Sequence, residues 1–596
     1  MTLGGRGGYE LFPEDGNHIF TIAQWYPRLC VYSDFQGWQN HQFTGRGEFA
    51  LAFGNFDVKM TVPADHIVCA TGEGQNYASL LTHEQQTRWR KAQTAKEPIE
   101  IVTLAEAKAA EANTAGTKKQ GTKTWHYKAE NVRDFAWGSS RKFVWDAMAI
   151  DQAGRKVMCM SFYGKEAYPL YRRYSTKVVA HTIRSYSKFT IDYPYPVAQS
   201  IEAANGMEYP MICFNYGRAE KDGTYSEAIK YGMLGVIIHE VGHNFFPMII
   251  NSDERQWSWM DEGLNTFVEY LTEQLFDNNY PSARGPAHKI ADYMRLPKNQ
   301  LEPIMTNSEN IVLFGPNAYS KPCTALNILR ETIMGRELFD YAFKEYARRW
   351  AFKHPTPADF FRTMEDASGV DLDWFWRGWF FGIDPVDISI DTVRWYKLDD
   401  ASNSLTFKRE PFRHLNQLND AKDPSIKFAV DQDTSLRDFY FYNRSGDDED
   451  EMFRRGSSSA TAPAAPDRAA DSIKKLWVQK NLYELSLTNR GGLVMPVIVE
   501  FTYKDGSKEV DKIPAQIWRR NEERIKKVFV KDKEVASIRL DPGRETADIN
   551  EENGLWPLKE LPSKFTLFRG RTGRGVPQMG LQNPMQKAKA PTTEKK

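Results

Sequence analysis

The chain has 596 residues, 78 basic and 78 acidic side chains, 13% aromatic residues and 16 tryptophans. At roughly 100–200 residues per domain that is three or four domains, and the balanced charge gives no broad field favouring nucleic acid or an acidic membrane. Five widely spaced cysteines (Cys30, Cys69, Cys159, Cys213, Cys323), odd in number and without a C-x-x-C pair, argue against a disulfide framework and a cysteine-bound structural zinc, and for single buried thiols.

No apolar run approaches the ~18 residues a membrane helix needs, so no membrane span is expected. The segment from Met1 to Gly8 has no apolar signal-peptide core. The chain is expected to be cytoplasmic if complete, and secreted or periplasmic if its true start is missing; the location stays open. Residues 9–100 read as β-structure, with apolar alternation in 48–54 and 56–63 bounded by Gly and Pro. Residues 104–123, rich in Ala, Lys, Glu and Thr, fit either a short surface helix or a mobile insertion. Strand pattern resumes at 124–128 and 156–163.

From about 165 the period becomes helical. Helices are expected within 168–189, 225–246, 261–276, 318–334, 339–350 and 357–368. A β-rich segment follows over 386–407. Asp447 to Glu451 are consecutive acids, and the Ser/Ala/Pro run from Gly456 is low in complexity, so 444–475 reads as a linker. Apolar alternation returns at 482–488, 494–503, 527–530 and 535–540, which fits a small β-sandwich. The Arg/Gly/Gln/Lys-rich end, including the basic run Arg569-Gly-Arg-Thr-Gly-Arg574, reads as a solvated tail.

The chemistry-bearing motif is His239-Glu-Val-Gly-His243. On a helix, positions i and i+4 share a face, so both imidazoles can reach one metal, with Glu240 beside them as a general base. The apolar run Met233 to Ile238 sinks that helix into a core. A catalytic zinc takes three protein ligands and leaves one position open, and His₂Glu is one such set. Glu262, with eighteen residues between it and His243, opens a second helical pattern in Trp259-Met-Asp-Glu262-Gly263. The alternative for the two histidines is an ordinary pair on a buried helix.

H-E-x-x-H, eighteen residues, then Glu within W-x-x-E-G resembles the aminopeptidase N family of gluzincin metallopeptidases. Two further family motifs occur in order. Asn205-Gly-Met-Glu208-Tyr209 is similar to G-x-M-E-N, with Asn205 for the leading Gly and Tyr209 for the closing Asn. Tyr319-Ser-Lys321 matches Y-x-K. The resemblance covers roughly 15–385 and is most specific over 204–385. It implies one Zn²⁺ on His239, His243 and Glu262, Glu240 as base, Tyr319 as donor to the oxyanion, and Glu208 as receptor of the substrate's α-amine. It also implies Gln24 beside that amine, and Glu269, seven residues after Glu262, is a candidate carboxylate for orienting a ligand. Outside those roles, Glu208 would be a solvated strand residue, Tyr319 a core tyrosine and Glu269 an exposed helix acid.

The expected fold is α+β and multidomain. An N-terminal β-domain spans 1–164 and looks short for the family. A thermolysin-like helical/α+β catalytic domain spans 165–385. A β-rich segment and flexible linker (386–475), a C-terminal β-sandwich (476–547) and a disordered tail (548–596) follow. The expected activity is release of N-terminal residues from peptides with a free N-terminus, with no nucleic-acid partner. The altered Asn205 and Tyr209 keep a zinc endopeptidase, or a peptidase releasing short N-terminal peptides, as the second expectation. An inactive zinc-binding scaffold is the third.

Overall fold

The computed structural model of the chain describes residues 9–10, 18–112, 121–398, 415–420, 422–436 and 477–558. The chain is mixed α+β. Its contacts divide it into two units: Met1–Thr392 with Ser486–Lys526 and Val535–Lys596, and Val393–Leu485 with Lys527–Glu534. Every residue discussed below for function lies in the first. The described part of the second holds the helices Leu415–Asp420 and Ala429–Gln432 and a short 3₁₀ turn, Thr434–Leu436.

The site is built on a six-stranded mixed sheet. Its order is Met207–Tyr209, Ile212–Asn215, Val197–Glu202, Arg155–Tyr163, Val144–Gln152, Ile99–Val102. Val197–Glu202 runs parallel to both its neighbours, and the remaining pairings are antiparallel. A parallel connection needs a crossover, and here it passes through the helix Thr176–Phe189. The sheet therefore runs across the expected domain boundary at 164/165: three of its strands come from the segment read as N-terminal β-domain. Pairing between strands distant in sequence leaves no mark on local pattern.

The segment 9–100 corrects the expectation in two places, the first being a short helix at Tyr77–Leu80. Residues His83–Ala92 form a helix rather than β-structure. Thr82 accepts from the Gln85 amide while the Gln85 side chain accepts from the Thr82 amide, a capping box whose T-x-x-Q pattern is local. Two smaller sheets do draw strands from this segment, one of Gly54–Pro63, Thr122–Val132 and Glu73–Gly74, the other containing Phe20–Ile22, Trp137–Ser140 and Ile67–Ala70. Leu104–Ala112 is helical, and 113–120 lie outside the described residues.

The helical block falls close to its expected places. Glu227–Gly242 starts at Ser226, whose side chain accepts from the Ile229 amide. Leu264–Phe276 follows a π-turn, Trp259–Gly263, and Lys321–Ile328 follows another, Gly315–Ser320. Pro322 has no N–H to give to the preceding turn, which accounts for the wider winding there. The Glu262 turn is held by packing. Trp259, 1% exposed, stacks on Phe361 at 5.8 Å and meets Phe380 edge-on at 4.9 Å. Truncating a buried Trp typically costs about 3–5 kcal/mol, so this anchor is substantial.

Toward the C-terminus, an antiparallel sheet runs Lys508–Ile513, Val497–Tyr503, Val535–Leu540, Leu555–Trp556. Buried Trp518 donates to the Met495 carbonyl at 2.9 Å, and Trp379 Nε1 donates to Met495 Sδ. The expected tail from 548 is corrected at its start. Leu555 and Trp556 pair with Arg539 and Ile538, because an apolar pair can extend the sheet where a polar tail cannot. The expected linker at 444–475 and the tail from 559 on, including Arg569–Arg574, lie outside the described residues, as do 399–407 of the β-rich segment. Among the described residues no helix is long and apolar enough to cross a membrane, and the five cysteines are free.

Candidate active site

The helix Glu227–Gly242 is buried along its last turns, from Ile237 to Gly242, and carries His239 and Glu240; His243 caps its end. Three donor atoms converge there. His239 Nε2 lies 3.0 Å from His243 Nε2 and 3.1 Å from Glu262 Oε2, and His243 Nε2 lies 3.3 Å from Glu262 Oε2. Ligands about 2.0–2.1 Å from a tetrahedral zinc stand about 3.3 Å apart, so the triangle has the size of one face of such a site. Two imidazole nitrogens and a carboxylate facing inward are also the donor set that zinc takes.

The outer nitrogens of both rings are fixed. His239 Nδ1 is 2.8 Å from Glu269 Oε2, and His243 Nδ1 is 2.8 Å from the Phe246 carbonyl and 3.0 Å from Asp261 Oδ1. Carboxylate and carbonyl partners of this kind set the tautomer and turn the inner nitrogen toward the metal position. Asn265 adds a brace, donating to the His239 carbonyl at 2.9 Å while its own side-chain oxygen accepts from Tyr186 at 2.8 Å.

Electrostatics point the same way. Burial alone would lower His239, but Glu269 and Glu262 outweigh it and push it up to about 9. Burial would raise Glu262, yet hydrogen bonds from His239 and His243 hold it well below the usual carboxylate range. The cluster favours positive charge at its centre, and a bound cation satisfies that demand.

Glu240 faces a gap left by glycine. A Cβ on Gly206 would come 2.2 Å from Glu240 Oε1, so a larger residue there would displace the carboxylate from its present position. Glu240 Oε2 is buried and has no partner. Burial, with Glu208 adding, pushes Glu240 up to about 8. Glu208 sits on the edge strand Met207–Tyr209, 4% exposed, with Oε1 buried and unpartnered. An oxygen of its carboxylate lies within 4.8 Å of donor atoms of His243 and Asp261.

Tyr319, in the Gly315–Ser320 turn, donates to Glu262 Oε1 at 2.6 Å, and its ring stacks on His239 at 5.7 Å. Burial and Glu262 together hold its hydroxyl protonated, well above the usual tyrosine range. Gln24, at φ +49°, donates from Nε2 to the Tyr209 hydroxyl at 2.7 Å; its Oε1 is buried without a partner. Tyr209 thus tethers Gln24 to the strand that carries Glu208.

The structure brings His239, His243, Glu262, Glu240, Glu208, Glu269 and Tyr319 into one locality, with Gln24 joined to it through Tyr209. Sequence reasoning missed Gly206, Asp261 and Asn265. Asn265 stands three residues after Glu262, a same-face spacing that carried a usable signal. Asp261 offers none.

Residues 174–379 match the Peptidase family M1 domain. Among curated relatives, the probable aminopeptidase 1 of Sulfurisphaera tokodaii is 24% identical over 244 residues, covering 38% of this chain and 30% of that protein. Aminopeptidase M1-A of Oryza sativa subsp. japonica is 21% identical over 238 residues, covering 38% of this chain and 27% of that protein. The aligned part is less than a third of either relative's length. Among solved structures, Legionella pneumophila aminopeptidase A in complex with aspartic acid superposes with a TM-score of 0.54 at 11% identity, over 91% of this chain and 48% of that one. The likeness to that structure is one of fold, and the family match in sequence is confined to 174–379.

Proposed function

We propose that the chain is a zinc aminopeptidase, with the metal on His239, His243 and Glu262 and a peptide with a free N-terminus as substrate. The observation that carries this reading is the 3.0–3.3 Å triangle of donor atoms with an unpartnered Glu240 oxygen beside it. The M1 match over the same residues and the aminopeptidase names of the relatives support it. Zinc at this position supplies a nucleophilic water at neutral pH and a Lewis-acid contact for the scissile carbonyl.

Glu240 takes a proton from the attacking water as the new C–O bond forms, and gives it to the leaving amine nitrogen as the C–N bond breaks. The Tyr319 hydroxyl, kept protonated, turns from Glu262 to the carbonyl oxygen as that oxygen gains charge, a contact worth most where water is excluded. Glu208 accepts the substrate's α-ammonium at the edge of the sheet, and Gln24 flanks it. Glu269 and Asn265 hold His239 in place. The machinery is assigned to residues 165–385, with Gln24 contributed from the N-terminal β-structure.

The reading predicts that the zinc-loaded enzyme trims a free-amine pentapeptide one residue at a time from its N-terminus. A time course of products by mass spectrometry should show single amino acids and successively shorter remainders. Internal cuts, or dipeptides as first products, would favour the endopeptidase or short-peptide reading that Asn205 and Tyr209 motivate.

A further inference from the structure

We propose that Arg284 binds a carboxylate of the substrate, either its C-terminal carboxylate or an acidic side chain near the scissile bond; this rests on the peptidase reading above. The Arg284 guanidinium carbon lies 4.6 Å from the Tyr319 ring centroid, and that ring stacks on His239 at 5.7 Å. At ~3.3–3.6 Å per extended residue, these two steps place the charge no more than about three residues along a bound peptide from His239.

The charge is unspent. Buried or half-buried arginines elsewhere in the unit are paired: Arg28 with Asp134, Arg133 with Glu254, Arg255 with Glu309, Arg330 with Asp340. Among the described residues, half-buried Arg284 has no hydrogen-bond or ion-pair partner, and its nitrogens are not sealed from solvent. Glu273 is close enough to feel the charge through space but makes no contact with it. A second guanidinium of the same character stands nearby. Exposed Arg46 lies 5.6 Å from the Phe314 ring, which meets Tyr319 edge-on at 6.1 Å; among the described residues Arg46 donates only to the Val312 carbonyl. Two cations without carboxylates, on one aromatic pair beside the metal triangle, suit an anionic ligand.

The mounting is rigid. Gly285, at φ +103°, packs so that a Cβ would fall 2.5 Å from the Tyr270 ring, and its carbonyl accepts from Asn327 at 3.1 Å. On the other side, Ser282 Oγ accepts from Gln274 at 3.1 Å and the Ser282 carbonyl accepts from Lys289. Stacking on Tyr319 then orients a planar fork whose donors match a carboxylate's two oxygens.

The test compares kcat/KM of the zinc-loaded enzyme on two peptide pairs: Leu-Gly-Gly against its C-terminal amide, and Leu-Glu-Gly amide against Leu-Gln-Gly amide. Wild type should prefer the carboxylate-bearing member of one pair, and which pair it is names the source of the carboxylate. Arg284→Ala should shrink that preference about 10- to 100-fold, the scale of a charge-assisted hydrogen bond, and Arg284→Lys should keep part of it. Each ratio is taken within one variant, so a general loss of folding or chemistry cancels. No wild-type preference in either pair, or a preference unchanged by Arg284→Ala, overturns the proposal alone. Failure of the wild type to cleave any of the four would take down the peptidase reading as well.

Discussion

Glu240→Gln should keep the metal and lower turnover by at least ~100-fold. The substitution preserves shape and hydrogen-bonding reach while removing the proton acceptor, and general-base contributions run about 10²–10⁴. The residue is placed for that single task. It follows His239 directly on the helix, is buried, has one oxygen without a partner, and touches a loop cleared for it by Gly206. The outer-nitrogen contacts of His239 and His243 do not involve it, so the donor triangle should survive. Elemental analysis and steady-state kinetics on the same preparation check both halves. Near-normal turnover with full metal content would remove Glu240 from the chemistry.

His243→Ala should act on the other half of the site. It deletes one corner of the triangle, and it leaves the buried Asp261 and Glu262 carboxylates without the imidazole that now stands against both. Zinc content after dialysis should fall well below one per chain, and activity should go with it, since loss of one of three ligands removes both affinity and the open-site geometry. Circular dichroism separates this from unfolding. Full zinc occupancy in a folded variant would mean that the ligands are other than His239, His243 and Glu262.

How far the sequence could lead varied with the distance over which each feature is encoded. His239 and His243 were legible because i and i+4 share a helix face, a local fact. The helix Pro357–Ser368 was equally plain, with Thr356 and Asp359 forming a capping box at its start. Glu262 needed the family's spacing, since nothing local says that a turn eighteen residues away returns to the same point. The strand Lys508–Ile513 was missed because it is the edge of its sheet and carries charges where a core strand alternates apolar residues. His83–Ala92 was missed although its capping box was in view, because the surrounding alternation dominated. Arg284 could not be found at all from sequence: its meaning lies in the absence of a partner and in a ring thirty-five residues further on.

The most direct test of the central claim uses one peptide and its N-acetylated twin. A buried carboxylate receiving an ammonium forms a charge-assisted hydrogen bond, and truncating one partner of such a pair typically costs ~2–5 kcal/mol. Glu208, 4% exposed with an unpartnered oxygen, is the carboxylate placed for this. The zinc-loaded wild type should cleave the free-amine peptide and barely touch the acetylated one. Glu208→Ala, with zinc still bound, should lose most of its action on the free-amine peptide, so that the discrimination narrows. Equal cleavage of both twins by the wild type would contradict the aminopeptidase account.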